Sequence, residues 1–320
     1  MQDYFPFPKI PSLRNLIGSA SREEGFAERG PVTFVGQPKL HGTNAGIALF
    51  EDDTLHPQSR NRRLSLESDN YNFASFVSQN EEALLADIVA LAGNPSPSSP
   101  VVVYGEWTGP GIQTGVAISQ LPEKVFFPFA VRDGFGLRPT PAFAGQVLKT
   151  IASFEASQSV TFDLATEEGL PEALETIQAA TDAYGAKCPV AAALGVEGLG
   201  EGLVWWSTEG RQLIFKSKDE AHQQCRKPLP APKDAGEQAR ASMFANMVVT
   251  PARMEGAYEW LKEMNQPMDR SSTGRVIVYV LDDVRAECIE EFKQAGAPWK
   301  ACASFMSAKA RNYFFERIDS

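Results

Sequence analysis

The stretch 32–50, VTFVGQPKLHGTNAGIALF, holds two β-like runs joined by the polar turn KLHGTN at 39–44. β-Branched and aromatic residues mark both runs as strands, with the turn between them. The lysine closes the first run, and a glycine stands three residues later. An isolated KxxG is common in surface turns, so its weight depends on the segments downstream. In order come QSRNRR (58–63), YGEW (104–107), KVFFPFAVR (124–132), EGLVW (201–205) and FKSK (215–218).

Around these segments, short β-like runs alternate with Gly/Pro turns. Two helical stretches interrupt them, EEALLADIVALAG (81–93) and LPEALETIQAATDAYG (170–185), each with apolar residues at helical spacing. The pattern is α+β with mostly antiparallel sheets, not a regular βαβ alternation. RKPLPAPKDAGEQ (226–238) is too rich in proline for a helix interior or a central strand and reads as a linker. The remainder of the chain reads as helical. Thr250 is an N-cap with Pro251 at the first helical position, LDDVRAECIEEFKQAG (281–296) ends on Gly296, and the last segment is amphipathic. The expected organisation is a domain at 1–225, a linker at 226–238 and a small all-helical domain at 239–320.

With 320 residues, 43% of them hydrophobic and 22% charged, the composition is that of a globular chain and excludes collagen-like and low-complexity classes. No apolar run approaches the roughly 20 residues of a membrane-spanning helix. The opening MQDYFPFPKIPSLRN lacks the basic cap and apolar core of a secretory signal. A cytoplasmic location and no membrane partner are expected. Cys188, Cys225, Cys288 and Cys302 are widely spaced, and His41, His56 and His222 do not cluster with them, which argues against a zinc site or a disulfide framework. The net charge of −10 opposes phosphate binding in general, but the balance is uneven. Residues 221–320 carry 14 basic and 13 acidic side chains, against 16 and 27 before them. A local basic site can override such a balance. Two glycine-rich stretches, GPGIQTG (109–115) and GVEGLGEG (195–202), lack the GxGxxG spacing, and no GxxxxGK[ST] occurs. Rossmann and P-loop sites are therefore disfavoured.

The ordered segments resemble the nucleotidyl-transfer motifs of the covalent nucleotidyltransferases, an ATP-grasp-like ligase fold. Within these they resemble the RNA ligases of the phage-type RNA ligase 2 family. The resemblance spans roughly residues 30–220. KxHGTN is closer to RNA ligases than to the KxDG of DNA ligases, and GEWTGPGIQTGVAISQLP is similar to the extended third motif of the phage enzymes. The resemblance implies an ATP-dependent RNA ligase that uses Mg²⁺ or Mn²⁺. Such an enzyme joins RNA 3′-hydroxyl and 5′-phosphate ends through lysyl–AMP and RNA–adenylate, here at nicks in duplex RNA, and a monomer is expected.

The same resemblance assigns the residues. Lys39 is the nucleophile. Glu106 contacts the ribose, Phe126 stacks on adenine, Glu201 helps to bind the metal, and Arg60 contacts the substrate end or the nucleotide. Gln37 belongs to the nucleotide-binding set. Pro38 has no N–H but keeps a carbonyl that can accept from the base.

The chemistry fits these roles. Lysine attacks phosphorus only as a neutral amine, its free pKa is about 10.4, and nearby cations favour loss of its proton. Lys216 and Lys218 alternate with Ser217 on a strand, so both face one side, where two ammonium groups call for an anion such as the triphosphate. His41, two residues beyond Lys39, reaches the same side of an extended turn and is placed to act after lysyl–AMP forms. Two alternatives are a DNA ligase or capping guanylyltransferase of the same superfamily, usually carrying an OB-fold after the catalytic domain, and a non-catalytic nucleic-acid-binding module. The helical tail disfavours the former, and the retained Lys39, Glu201, Lys216 and Lys218 disfavour the latter.

Overall fold

The computed structural model describes residues 4–20, 30–96, 99–154, 158–208, 212–218 and 236–319. The chain divides into two compact units. Among the described residues the first holds 4–10 and 30–218, and the second holds 11–20 and 236–319. Residues 11–20, inside the 1–225 stretch expected to form one domain, thus belong with the helices near the end of the chain. The linker reading at 226–238 falls largely outside the described residues, as do His222 and Cys225, while Glu237 and Gln238 already open a helix.

The first unit contains two sheets, and among the described residues their strand pairings are antiparallel. One has four strands in the order β7 (Gln158–Phe162), β1 (Val32–Lys39), β8 (Gly202–Ser207), β9 (Ile214–Lys218). The other has five, in the order β3 (Leu55–Ser59), β2 (Thr43–Leu49), β4 (Val101–Thr108), β5 (Val125–Asp133), β6 (Gly136–Pro139). β3, β6 and β7 stand outside the runs that read as strands in the sequence, and all three lie at sheet edges. Pro57 is acceptable in β3 because an edge strand lacks a partner on one side. Pro38 is acceptable for a similar reason, since β7 pairs with β1 only as far as Gly36.

Alternation sorts each sheet into two faces. On the five-stranded sheet, Ala45, Ile47, Val103, Trp107 and Val131 pack with Phe73, Val77, Leu84 and Ile88 of α2 (Phe73–Gln79) and α3 (Glu81–Ala92). The opposite face, with Ala48, Val102, Tyr104 and Ala130, meets Trp206 of the four-stranded sheet together with Phe5 and Phe7. The far side of the four-stranded sheet carries α4 (Leu170–Ala186), packed on β7, β8 and β9 and followed in the chain by the short α5 (Pro189–Ala193). There Trp205 stacks on Phe215 at 5.8 Å, and the Trp205 indole N–H donates to Ser217 Oγ at 2.9 Å. Ser217 therefore faces α4, while its neighbours Lys216 and Lys218 face the second sheet.

The second unit contains α1 (Leu13–Ala20), α6 (Glu237–Val248), α7 (Pro251–Glu263), α8 (Thr273–Glu287), α9 (Ile289–Ala295) and α10 (Trp299–Asp319). Its core includes Phe244, Met254, Leu261, Val276, Val280, Met306 and Phe314. Thr250 caps α7 by accepting from the Arg253 N–H at 3.3 Å. The segment 281–296 is the end of α8 and the whole of α9 rather than one helix, broken at Cys288 and closed by Gly296 in a left-handed conformation. α1 is held by the Asn15 amide donating to Glu287 O at 2.7 Å. Among the described residues no helix is long and apolar enough to cross a membrane.

A buried arginine locks this unit. Arg253 donates to Asp283 Oδ2 at 2.9 Å, to Cys288 Sγ at 3.3 Å and to the Val248 carbonyl. Burial opposes its charge, but Cys288, Asp283 and Glu287 outweigh that and raise its pKa further. Removing one partner of a buried pair leaves an uncompensated charge, at about 3–5 kcal/mol. Arg253→Ala is expected to destabilise the unit by that amount in urea unfolding followed by circular dichroism, and Arg253→Met with Asp283→Leu to recover most of the loss. An unchanged midpoint in Arg253→Ala would show that the pair holds nothing together.

Candidate active site

Strand register assembles the basic cluster. Lys39 on β1 lies opposite Gly202 on β8, and Gly202 lies opposite Lys218 on β9. In the next row on the same face, Gln37, Val204 and Lys216 stand side by side. Directly paired residues share a face, so all three lysines and Gln37 project together. Gly202 has φ +136°, and a Cβ there would collide with the Ser217 carbonyl oxygen, so only glycine lets β9 come this close.

Glu201 immediately precedes this row and is 1% exposed. Its Oε2 receives Lys39 Nζ at 2.7 Å and its Oε1 receives Lys218 Nζ at 2.8 Å. His41 Nδ1 lies 3.3 Å from Oε2. Burial by itself would raise the carboxyl pKa. Lys218, then Lys39 and His41, overcome that and hold it well below the usual carboxylate range.

The second sheet supplies the facing wall. Asn44 on β2 lies opposite Glu106 on β4. Gly42 N–H donates to Glu106 Oε1 at 2.9 Å. A Cβ on Gly42 would collide with the Trp107 carbonyl, so the glycine of KLHG is what lets the turn close onto β4. Burial raises the Glu106 pKa, and Lys39 only partly offsets it.

A pocket opens between the two sheets. Its polar wall is formed by Gln37, Lys39, Asn44, Arg60 and Glu106. The apolar wall is formed by Phe129, Ile151, Val204 and Trp206, with Phe7 and Ile10 from the N-terminal segment. Of the three arginines at 60–63, Arg60 lines the pocket, whereas Arg62 donates to Ser68 O at 2.7 Å and Asp69 O at 2.9 Å and braces its own loop.

Phe126, expected to stack on a base, does not line this pocket. It is buried beneath α2, 5.0 Å from the Phe73 ring. Phe129 takes the place on the wall. Gly105 pairs with Pro128 and Tyr104 with Ala130, which leaves Phe129 as the extra residue of a β-bulge. A bulge re-aims a side chain, and the string VFFPF gives no sign of where one falls. Phe7 and Ile10 are further wall residues that the sequence does not single out. Their segment is tied down by Gln58, which bonds Phe5 N at 3.1 Å, and by the Tyr104 hydroxyl, which donates to Phe5 O at 2.9 Å. FPFPKI carries no local pattern that would announce this contact.

The family model described as RNA ligase matches residues 32–218. Among solved structures, an RNA ligase variant from Naegleria gruberi determined with ATP and Mn is similar at 16% identity and a TM-score of 0.44, over 69% of this chain and 58% of that one. The Naegleria gruberi RNA ligase with PPi is similar at 17% identity and a TM-score of 0.41, with the same coverage. The match thus takes in less than two thirds of the Naegleria protein. Among curated proteins, none matches the chain.

The two carboxylates predict opposite responses to pH. The Glu201 pKa is depressed from 4.5, so its contribution to stability is complete above pH 4.5 and is lost as pH falls through the folded value. The Glu106 pKa is raised, so its ionised form costs stability near neutrality and that cost disappears in acid. At pH 7, Glu201→Gln is expected to cost roughly 1.5–3 kcal/mol, the scale of one charge-assisted hydrogen bond. Glu106→Gln is expected to be neutral or stabilising. Denaturant melts at pH 7 and pH 4 check both signs, and equal pH slopes in wild type and Glu201→Gln would contradict the first.

Proposed function

Since the chain belongs to the RNA ligase family, we propose that it is an ATP-dependent ligase that joins RNA 3′-hydroxyl and 5′-phosphate ends. The observation that carries the reading is Lys39 on the wall of a closed-in pocket, beside Glu201 and Lys218. In the first step Lys39 Nζ attacks the α-phosphorus of ATP, forming a P–N bond while the P–O bond to pyrophosphate breaks. The proton leaves Lys39 for solvent. The AMP then passes from Lys39 to an RNA 5′-phosphate. Finally the 3′-hydroxyl attacks that phosphate and AMP leaves.

Positioning and charge neutralisation account for most of the catalysis of such transfers. Lys218, Lys216 and Arg60 supply cations for the phosphates. Glu106 accepts from the ribose, and the apolar wall with Phe129 holds the base. Among the described residues no group of three or more His, Cys, Asp or Glu side chains could hold a metal. A Mg²⁺ or Mn²⁺ ion would instead be held by Glu201, in exchange for one of its lysine contacts, together with phosphate oxygens and water, and would supply neutralisation of phosphate charge. His41 orients the Glu201 carboxylate through its 3.3 Å contact and acts in the steps after lysyl–AMP forms.

A relationship to the phage-type RNA ligase 2 group and a nick in duplex RNA as substrate are the finer parts of this proposal. The helical unit would engage the duplex through phosphates and 2′-hydroxyls, which requires only a few basic groups. The described residues 236–319 form helices only, which favours this reading over an OB-fold-bearing DNA ligase or capping enzyme.

Incubation with α-labelled ATP and Mg²⁺ should yield one labelled protein band on a denaturing gel, mapping to the Lys39 peptide and absent in Lys39→Ala. An adduct on Lys216 or Lys218 would overturn the assignment. His41→Ala is expected to form the adduct but to seal a pre-adenylylated nick at least tenfold more slowly, measured in single turnover. Unchanged sealing would confine His41 to a structural role.

A further inference from the structure

Two adjacent residues without the freedom of glycine, Tyr71 and Asn72, stand in the left-handed region at φ +52° and +67°. Asparagine visits that region at some cost, and a bulky residue such as tyrosine rarely does. A backbone held there persists only where its surroundings impose it. Two side chains do so here. The Tyr71 carbonyl accepts from the Trp107 indole N–H at 3.1 Å and from Lys124 Nζ at 2.9 Å. Trp107 is fixed by its packing on Phe73 and Phe76. Lys124 stands just ahead of β5, two residues before Phe126 and so on the side that α2 covers. Among the described residues no carboxylate pairs with it, and its hydrogen bond goes to this one carbonyl.

The strained pair ends the loop that carries Arg60. Asn70, just before it, is buried, and its side-chain amide donates to Thr43 Oγ1 at 3.4 Å. Thr43 follows Gly42, the glycine bonded to Glu106. The Asp69 carboxylate takes the N–H groups of Asn70, Ala74 and Ser75 at 2.6, 2.7 and 3.0 Å, and the Asp69 carbonyl takes Arg62. Arg62 in turn stands two residues from Arg60 on the pocket wall. A change of backbone at Tyr71 would therefore move both the turn after Lys39 and the loop of Arg60. Lys39, Glu201 and Lys218 belong to the other sheet and would stay in place.

We propose that Lys124 is a positioning residue for the nucleotide: its ammonium group imposes the left-handed backbone at Tyr71 and Asn72, which keeps Asn70 on the KLHGTN turn and Arg60 on the pocket wall. The assignment rests on the reading of the pocket as an ATP site. Lys124 is not part of the pocket lining and acts through backbone geometry. Its removal should weaken capture of the nucleotide and leave the attack by Lys39 almost unchanged. Relieving the strain should substitute for the lysine. Glycine adopts positive φ without steric cost, and Asn72 is exposed, so Asn72→Gly is expected to compensate for the loss of Lys124.

The test reads the dependence on ATP. Single-turnover formation of the adduct from α-labelled ATP is followed over a range of ATP concentrations. The proteins are the wild type, Lys124→Met, Asn72→Gly and the double variant, each shown to be folded by thermal melting. Lys124→Gln, which keeps a donor, replaces the methionine variant if that one does not fold. In Lys124→Met the half-saturating ATP concentration should rise about tenfold, the effect of one hydrogen bond from a charged group, with the limiting rate within about twofold. Asn72→Gly should behave as wild type by itself and recover most of the loss in the double variant. An unchanged half-saturation in folded Lys124→Met overturns the role, and so does a loss confined to the limiting rate. Failure of the glycine to restore the ATP dependence would assign the effect to the charge of the lysine and overturn the positioning role as well. Calorimetry of ATP binding in a Lys39→Ala background separates the two readings. Binding that weakens with Lys124→Met and recovers with Asn72→Gly, but no adduct when Lys39 is present, sustains this inference and overturns the ligase reading. A parent that binds no ATP overturns both.

Discussion

A buried carboxylate is costly in isolation, and so are two ammonium groups on the same face of a sheet. Glu201 removes both costs, because its two oxygens take one lysine each, from strands on either side of β8. The register of β1, β8 and β9 is centred on Gly202, the next residue, so the ion cluster and the sheet specify each other. Two lysines against one carboxylate leave a local excess of one positive charge. That excess lies in a chain whose total is −10, and it suits an anion entering from the pocket side.

The facing sheet complements this wall. It brings a second carboxylate, Glu106, into an environment that disfavours its charge, whereas the cations around Glu201 favour ionisation. Two acidic residues of similar sequence appearance are thereby given different chemistries by their neighbours. Glycines and a bulge set the spacing between the sheets: Gly42 lets the turn approach β4, and the extra residue on β5 turns Phe129 toward the opening.

Much of this was legible in the sequence because the informative residues are local. Strands β1, β2, β4, β5, β8 and β9 coincide with β-rich runs, and FKSK alone places two lysines on one face through the period of a strand. The helices at Glu81–Ala92 and Leu170–Ala186 obey their apolar spacing and stop signals. The features that escaped depend on distant partners. Edge strands β3, β6 and β7 are short and need half the pairing, so their composition is weakly constrained. Phe126 and Phe129 cannot be told apart without the bulge. The break at Cys288, whose sulfur accepts from Arg253, leaves no mark in a run that keeps its helical composition.

The path of the chain has one more consequence. Residues 4–10 help to wall the pocket, 11–20 pack with the helical unit, 30–218 return to the sheets and 236–319 return to the helices. The backbone therefore crosses between the units three times. A single cleavage in the stretch 219–235 would leave the halves joined through the N-terminal crossings, so a nicked protein would migrate as two fragments under denaturing conditions while remaining one particle in solution. A recombinant fragment ending there would retain α1 without the helices that cover Leu13 and Leu16, both buried in the intact chain, and would present a sticky apolar ridge.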